Sequence, residues 1–129
     1  MIRMARTLRG EDGCPWDRAQ DEASLVRYVL AEAQELEEAI AARDIEHVRE
    51  EIGDVLFILI SMAVLAEEKR YFSLLELLER LEAKMVRRHP HVFGGESAST
   101  VEEVRRHWDA VKRSEKAERT TTRGNKSEK

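Results

Sequence analysis

An all-α fold, a helical bundle of about four to five helices, is predicted by three features of this 129-residue chain. Charged residues make up 37% and aromatic residues only 5%, with two prolines and six glycines, a composition that favours helices over sheets. Apolar residues recur every three or four positions over long segments, which is the period of one helix face. No segment shows the strict alternation of a half-buried strand. The length suits one domain built around one core.

The elements follow in chain order. Met1 to Leu8 has the pattern of a short amphipathic helix. "RGEDGCPWD" reads as a loop, because two glycines and a proline interrupt the periodicity. Asp21 or Ser24 caps a long helix reaching about Ala42. Arg43-Asp44 breaks the pattern, and Asp44 caps a second long helix from Ile45 to about Glu68. "EKRYFS" connects to a third helix, capped by Ser73 and ending near Arg88, with Leu74, Leu77, Leu78, Leu81 and Met85 at helical spacing. "HPHVFGGESAST" reads as a loop around Pro90 and the Gly94-Gly95 pair. Thr100 and Glu103 form a capping box for a fourth helix reaching about Ala117. Residues 1–117 therefore form the folded domain, and residues 118–129 have the composition of a disordered charged tail.

The second long helix is apolar nearly all round from Val55 to Ala66, so more than one neighbour must cover it. In a chain this short, a second copy completing the bundle is the expected cover, and a homodimer or higher homo-oligomer follows. Gly53 is expected to permit close approach of a neighbouring backbone.

Charge restricts the partners. Formal net charge is −4; Lys112 to Lys129 holds seven Lys/Arg and three Asp/Glu, or +4, which leaves the body near −8. A body so acidic does not match nucleic acid, which selects clustered positive charge. The longest apolar run, Val55 to Ala66, is too short to span a membrane. The start, "MIRMARTLRG", has no signal-peptide apolar core, and Cys14 is the single cysteine, so an internal disulfide is excluded. A cytoplasmic location is the resulting expectation.

One stretch combines charge with burial: "REEIGDVLFILISMAVLA", from Arg49 to Ala66. With Val55 centred on the apolar face, Glu51 lies about 40° away and Asp54 about 100°, on one flank, while Glu50 points to solvent. In the preceding helix Leu25, Val29, Leu36 and Ile40 mark the stripe. With Leu36 as its centre, Glu32 lies about 40° away and Glu35 about 100°. A short connection makes the two helices antiparallel neighbours, so Glu32, Glu35, Glu51 and Asp54 can converge in one crevice. Converging carboxylates repel unless a cation neutralises them, and a hard oxygen set without Cys or His suits Mg²⁺ or Mn²⁺. The plainer reading is a set of ordinary ion pairs on a charged surface. A di-iron box would require Glu-x-x-His pairs, and the nearest pattern is Asp44-x-x-His47 at a helix start. His89 and His91 flank Pro90 without a third zinc ligand, which favours a role in shaping the loop.

A basic group lies further along. Lys84 and Arg88, four apart, share a helix face that could hold phosphate oxygens or could complement the helix C-terminus. Trp108 and Lys112 repeat the spacing; a tryptophan there could stack on a base or anchor a core.

The segments "GCPWDRAQ", "LAEAQELEEAI", "EEIGDVLFILI", "KMVRRHPHVF" and "HWDAVKRSE" occur in the order seen in MazG-type nucleoside triphosphate pyrophosphohydrolases. The chain resembles that family over about Leu8 to Lys116, most closely the amino-terminal MazG domain of two-domain members. The resemblance implies an all-α, Mg²⁺- or Mn²⁺-dependent oligomeric enzyme that splits a nucleoside triphosphate into monophosphate and pyrophosphate, with a housecleaning role against aberrant nucleotides. It places the metal ligands on Glu32, Glu35, Glu51 and Asp54, with Glu35 and Glu51 catalytic, phosphate contacts on Lys84 and Arg88, and nucleotide contacts on Trp108 and Lys112. The family often has an acid directly before the first metal glutamate; here Ala31 stands there, pointing away from the crevice. The alternatives are a non-catalytic helical dimer or interaction module, and a related all-α hydrolase of nucleoside diphosphates or alarmones.

Overall fold

A computed structural model describes residues 1–124, with side chains as far as residue 117. Seven helices occur among the described residues: α1 (Ile2–Arg9), α2 (Pro15–Ala19), α3 (Glu22–Ala42), α4 (Ile45–Glu68), α5 (Leu74–Arg88), α6 (Pro90–Phe93) and α7 (Val101–Gly124). The chain divides into two compact units, Met1–Glu76 and Leu77–Lys129.

The first unit is built on α3 and α4, which pack along each other, with α1 laid on α4 and on α2. Asp21 starts α3 with a reciprocal cap: its Oδ1 accepts from Ser24 N at 2.7 Å, and its own N donates to Ser24 Oγ at 2.9 Å. Arg43 ends α3 in the left-handed region, φ 60°, so that its N–H and that of Asp44 turn back onto the last carbonyls. Asp44 then caps α4 by accepting from His47 N at 3.1 Å. The buried residues are mostly small: Ala5, Ala39, Ala63 and Ala66 accompany Leu25, Val64 and Leu65. Small side chains at these positions let the helix backbones approach closely.

Arg9 ties three elements together. Its side chain is only 6% exposed, and it pairs with Glu68 of α4 at 2.8 Å while donating to the Asp17 carbonyl of α2 at 2.6 Å. Arg6 pairs with Glu67, whose other oxygen accepts from Leu74 N at 2.9 Å and so holds the start of α5. Gly13 is required by a close approach: a Cβ there would lie 2.3 Å from the Leu8 carbonyl oxygen and 2.4 Å from that of Thr7.

In the second unit Thr100 Oγ1 accepts from Glu103 N at 3.2 Å, and the Glu103 carboxylate returns to Thr100 N and Ser99 N. The predicted capping box is present, and α7 runs on to Gly124, past the expected end near Ala117. Beyond residue 124 the expected tail, 118–129, lies outside the described residues.

Several expectations change. Both segments read as loops contain a short helix, because Pro15 and Pro90 occupy first-turn positions where the missing N–H costs nothing. Gly53 accommodates no neighbour: a Cβ there would meet no atom within 4 Å. Ile40 and Leu59, assigned to buried stripes, are 59% and 47% exposed. Ile52 and Leu56 of α4 are also exposed, leaving an uncovered apolar face beside the buried run that ends at Ala66. No helix among the described residues is long and apolar enough to cross a membrane.

Candidate active site

The α3–α4 pairing brings the four predicted acids together. Glu32, Glu51 and Asp54 each offer an oxygen, and the three atoms lie within 4.8 Å of one another. Glu35, His47 and Glu51 form a second such group with the same mutual reach. Glu51 belongs to both and is the most buried member, at 4% exposure. Its Oε1 sits 2.9 Å from His47 Nε2, whereas Oε2 is buried without a hydrogen-bond partner. An unmatched buried oxygen costs about 1–3 kcal/mol, and more when it is charged.

Glu32 reports the same crowding. Its carboxyl is pushed above the ordinary range, first by desolvation, then by the neighbouring Glu51 carboxylate, and then by the charges of Glu35 and Asp54. The charges of the other three acids thus all reach Glu32. A divalent ion would satisfy the orphaned Glu51 oxygen and offset the repulsion, and a carboxylate-rich set with one imidazole suits such an ion. The residues fit a metal.

Beside the acids lies a cavity of about 170 Å³. Trp16, Leu25, Tyr28, Phe57 and Ile58 supply an apolar wall, and Glu32, Asp54, Asp17 and Ser61 complete the lining. The Trp16 and Tyr28 rings stand 5.4 Å apart at 56°. Ser61 Oγ donates to the Phe57 carbonyl at 3.0 Å, so its hydroxyl is already engaged. Trp16 and His47 join the site here although neither is a site residue expected from sequence. The available signal for His47 was its position four before Glu51 on the same helix face.

The predicted basic residues belong to the second unit. Arg88 is committed to Glu115 through two hydrogen bonds, 2.6 and 3.2 Å, and its guanidinium lies 5.0 Å from the Trp108 ring centre. Arg88, ahead of Arg87, holds the Glu115 carboxyl below its ordinary range. Trp108 also meets His89 edge-on at 5.2 Å. Lys112 lines a cavity of about 460 Å³ with Arg88, Asp109, Arg113, Glu115 and Lys116, a surface rich in cations. Lys84 is half-buried on α5. His89 Nδ1 lies 2.6 Å from the Met85 carbonyl oxygen, which ties the α5–α6 corner.

Known proteins resemble this chain. A profile of the MazG nucleotide pyrophosphohydrolase domain matches residues 20–93. An uncharacterised protein, YabN of Bacillus subtilis, is 41% identical over 111 residues, covering 86% of this chain and 23% of the relative. The nucleoside triphosphate pyrophosphohydrolase of Escherichia coli is 38% identical over 116 residues, 90% of this chain and 44% of the relative. The chain thus spans less than half the length of these two relatives. The crystal structure of a mazG-related protein from Thermotoga maritima superposes with a TM-score of 0.72 at 27% identity, over 86% of this chain and 94% of that one. The matched segment contains all four acids and the helices that converge them, and the chain belongs to the MazG nucleotide pyrophosphohydrolase domain family.

Proposed function

We propose that this chain is a nucleoside triphosphate pyrophosphohydrolase, using Mg²⁺ or Mn²⁺ to cleave between the α- and β-phosphates. The observation that carries the reading is the gathering of Glu32, Glu35 and Asp54 around the buried Glu51, one of whose oxygens has no hydrogen-bond donor. Bound divalent ions would supply Lewis acidity and charge neutralisation toward the triphosphate and the attacking water. Glu32, Glu35, Glu51 and Asp54 would hold the cation. Glu35, an exposed acid, orients the attacking water and accepts its proton. The Trp16–Tyr28 cavity opens beside Glu32 and Asp54 and offers aromatic faces for the nucleobase.

The family likeness supports two further assignments. Lys84, Arg88 and Lys112 contact phosphate oxygens, with Arg88 exchanging Glu115 for the substrate, and Trp108 packs against the nucleotide. A second copy of this chain covers the exposed Ile52, Leu56 and Leu59 of α4, whose spacing places them on one helix face. A housecleaning role against aberrant nucleotides fits this chemistry, and nothing in the cavity selects one base.

The test is a panel of ordinary, deoxy and damaged nucleoside triphosphates with Mg²⁺, scored for pyrophosphate. Turnover that disappears in Glu51→Gln while helicity persists supports the reading. Undiminished turnover in that variant, or none by the native chain across the panel, overturns it.

A further inference from the structure

We propose that His47 is a nitrogen ligand in the metal centre, forming with Glu35 and Glu51 a second, mixed nitrogen–oxygen ion position beside the all-oxygen position of Glu32, Glu51 and Asp54. The inference rests on the metal reading of the site and adds to its four carboxylates.

Three observations carry it. First, the ring nitrogen is where a ligand must be. His47 Nε2 lies 2.9 Å from Glu51 Oε1. Two ligands at right angles around an ion with bonds of about 2.1 Å stand about 3 Å apart. Glu35 on α3 completes the group within 4.8 Å, a spacing that small side-chain rotations close onto an ion. Second, Glu51 can serve both positions. Oε1 faces His47, Oε2 has no hydrogen-bond partner, and the side chain is only 5% exposed, so its two oxygens suit a bridging carboxylate. Third, the ring is free to ligate. The structural task at this position, capping α4, is done by the His47 backbone N–H, which donates to Asp44. The side chain is 44% exposed, so its far nitrogen can meet solvent while Nε2 faces the acids.

An ion pair with Glu51 alone would account for the short contact but not for the third group or the orphaned oxygen. Imidazole also changes the preferred ion. An all-oxygen set suits Mg²⁺, whereas a nitrogen donor raises affinity for Mn²⁺, Co²⁺ and Ni²⁺ relative to it.

The test uses Mn²⁺ and Co²⁺ alone, without nucleotide, on the full chain and on His47→Ala and Glu51→Gln. Alanine is a better helix former than histidine, and circular dichroism confirms that the fold survives. Pulsed electron paramagnetic resonance of bound Mn²⁺ should show imidazole ¹⁴N modulation in the native chain and none in His47→Ala. Calorimetry should find Co²⁺ binding at least about tenfold weaker in His47→Ala, with Mg²⁺ affinity changed by about threefold or less. Glu51→Gln should weaken every ion. If the native chain binds Mn²⁺ without nitrogen modulation, or His47→Ala leaves the modulation and Co²⁺ affinity unchanged, His47 is no ligand and the carboxylate centre stands. If the native chain binds no divalent ion, both the inference and the metal reading fail.

Discussion

Replacing Glu51 with Gln should reverse the stability order of native and variant protein between metal-free and metal-loaded conditions. In the metal-free chain Glu51 lies within 4.8 Å of carboxylate oxygens from Glu32 and Asp54. Each such pair repels by about 3.5 kcal/mol at an effective dielectric of about 20 and by about 0.9 kcal/mol in bulk water. Against this stands the pairing of Glu51 with His47, worth about 1 kcal/mol or less at an exposed histidine. Glutamine removes the repulsion, keeps the shape, and its amide can donate to the neighbouring acids. The variant should therefore gain about 1–2 kcal/mol in chelator. With Mg²⁺ at about 100 times its dissociation constant, the native chain gains about 2.7 kcal/mol and the variant almost none. Urea denaturation in chelator and in Mg²⁺ reads both arms. A variant less stable than native in chelator, or equally stabilised by Mg²⁺, would show that Glu51 is a structural ion-pair partner and refute the electrostatic reasoning.

Three further outcomes follow from the same geometry. Gly13→Ala should lose about 1–3 kcal/mol in urea denaturation, because its Cβ would drive into the Leu8 and Thr7 carbonyls, and backbone must shift to admit it; an unchanged midpoint would contradict that close approach. Glu67→Ala should lose about 1–2 kcal/mol near neutral pH. The Glu67 carboxyl is held below its ordinary 4.5 first by the Leu74 backbone hydrogen bond and then by Arg6. Its contribution is therefore present above pH 4.5 and lost as pH falls through the depressed value, so the gap between native and variant should close in acid; a gap that widens there would reverse the assigned sign. Leu56→Glu should convert an oligomer to a 14.9 kDa monomer in light scattering after gel filtration, and an oligomer that persists would show that this face of α4 is not the interface.

Much of this was legible in the sequence where chemistry is local. Asp21, Asp44, Ser73 and Thr100 announce helix starts because a short polar side chain satisfies backbone N–H groups two or three residues on, a relation that no distant contact is needed to establish. The convergence of Glu32, Glu35, Glu51 and Asp54 was legible because helix periodicity put both pairs on matching flanks and a short connection made the two helices neighbours. The short helices α2 and α6 were not, since a proline that opens a helix looks the same in sequence as one that breaks it. Trp16 and Tyr28 meet only after the α2–α3 corner turns, which no spacing rule foretells. His47 escaped for a related reason: its ring matters through the position of one Glu51 oxygen and through Glu35 on another helix. At Gly53 the expectation of a close neighbour failed because that side of α4 is uncovered in the single chain.

Hydrolysis in ¹⁸O-labelled water, followed by ³¹P NMR, tests the central claim most directly. A carboxylate-held metal centre directing water at the α-phosphorus predicts two products, nucleoside monophosphate carrying the label and unlabelled pyrophosphate, formed only with a divalent cation and not by Glu51→Gln. Label in pyrophosphate or orthophosphate, or turnover that continues in chelator, would contradict it.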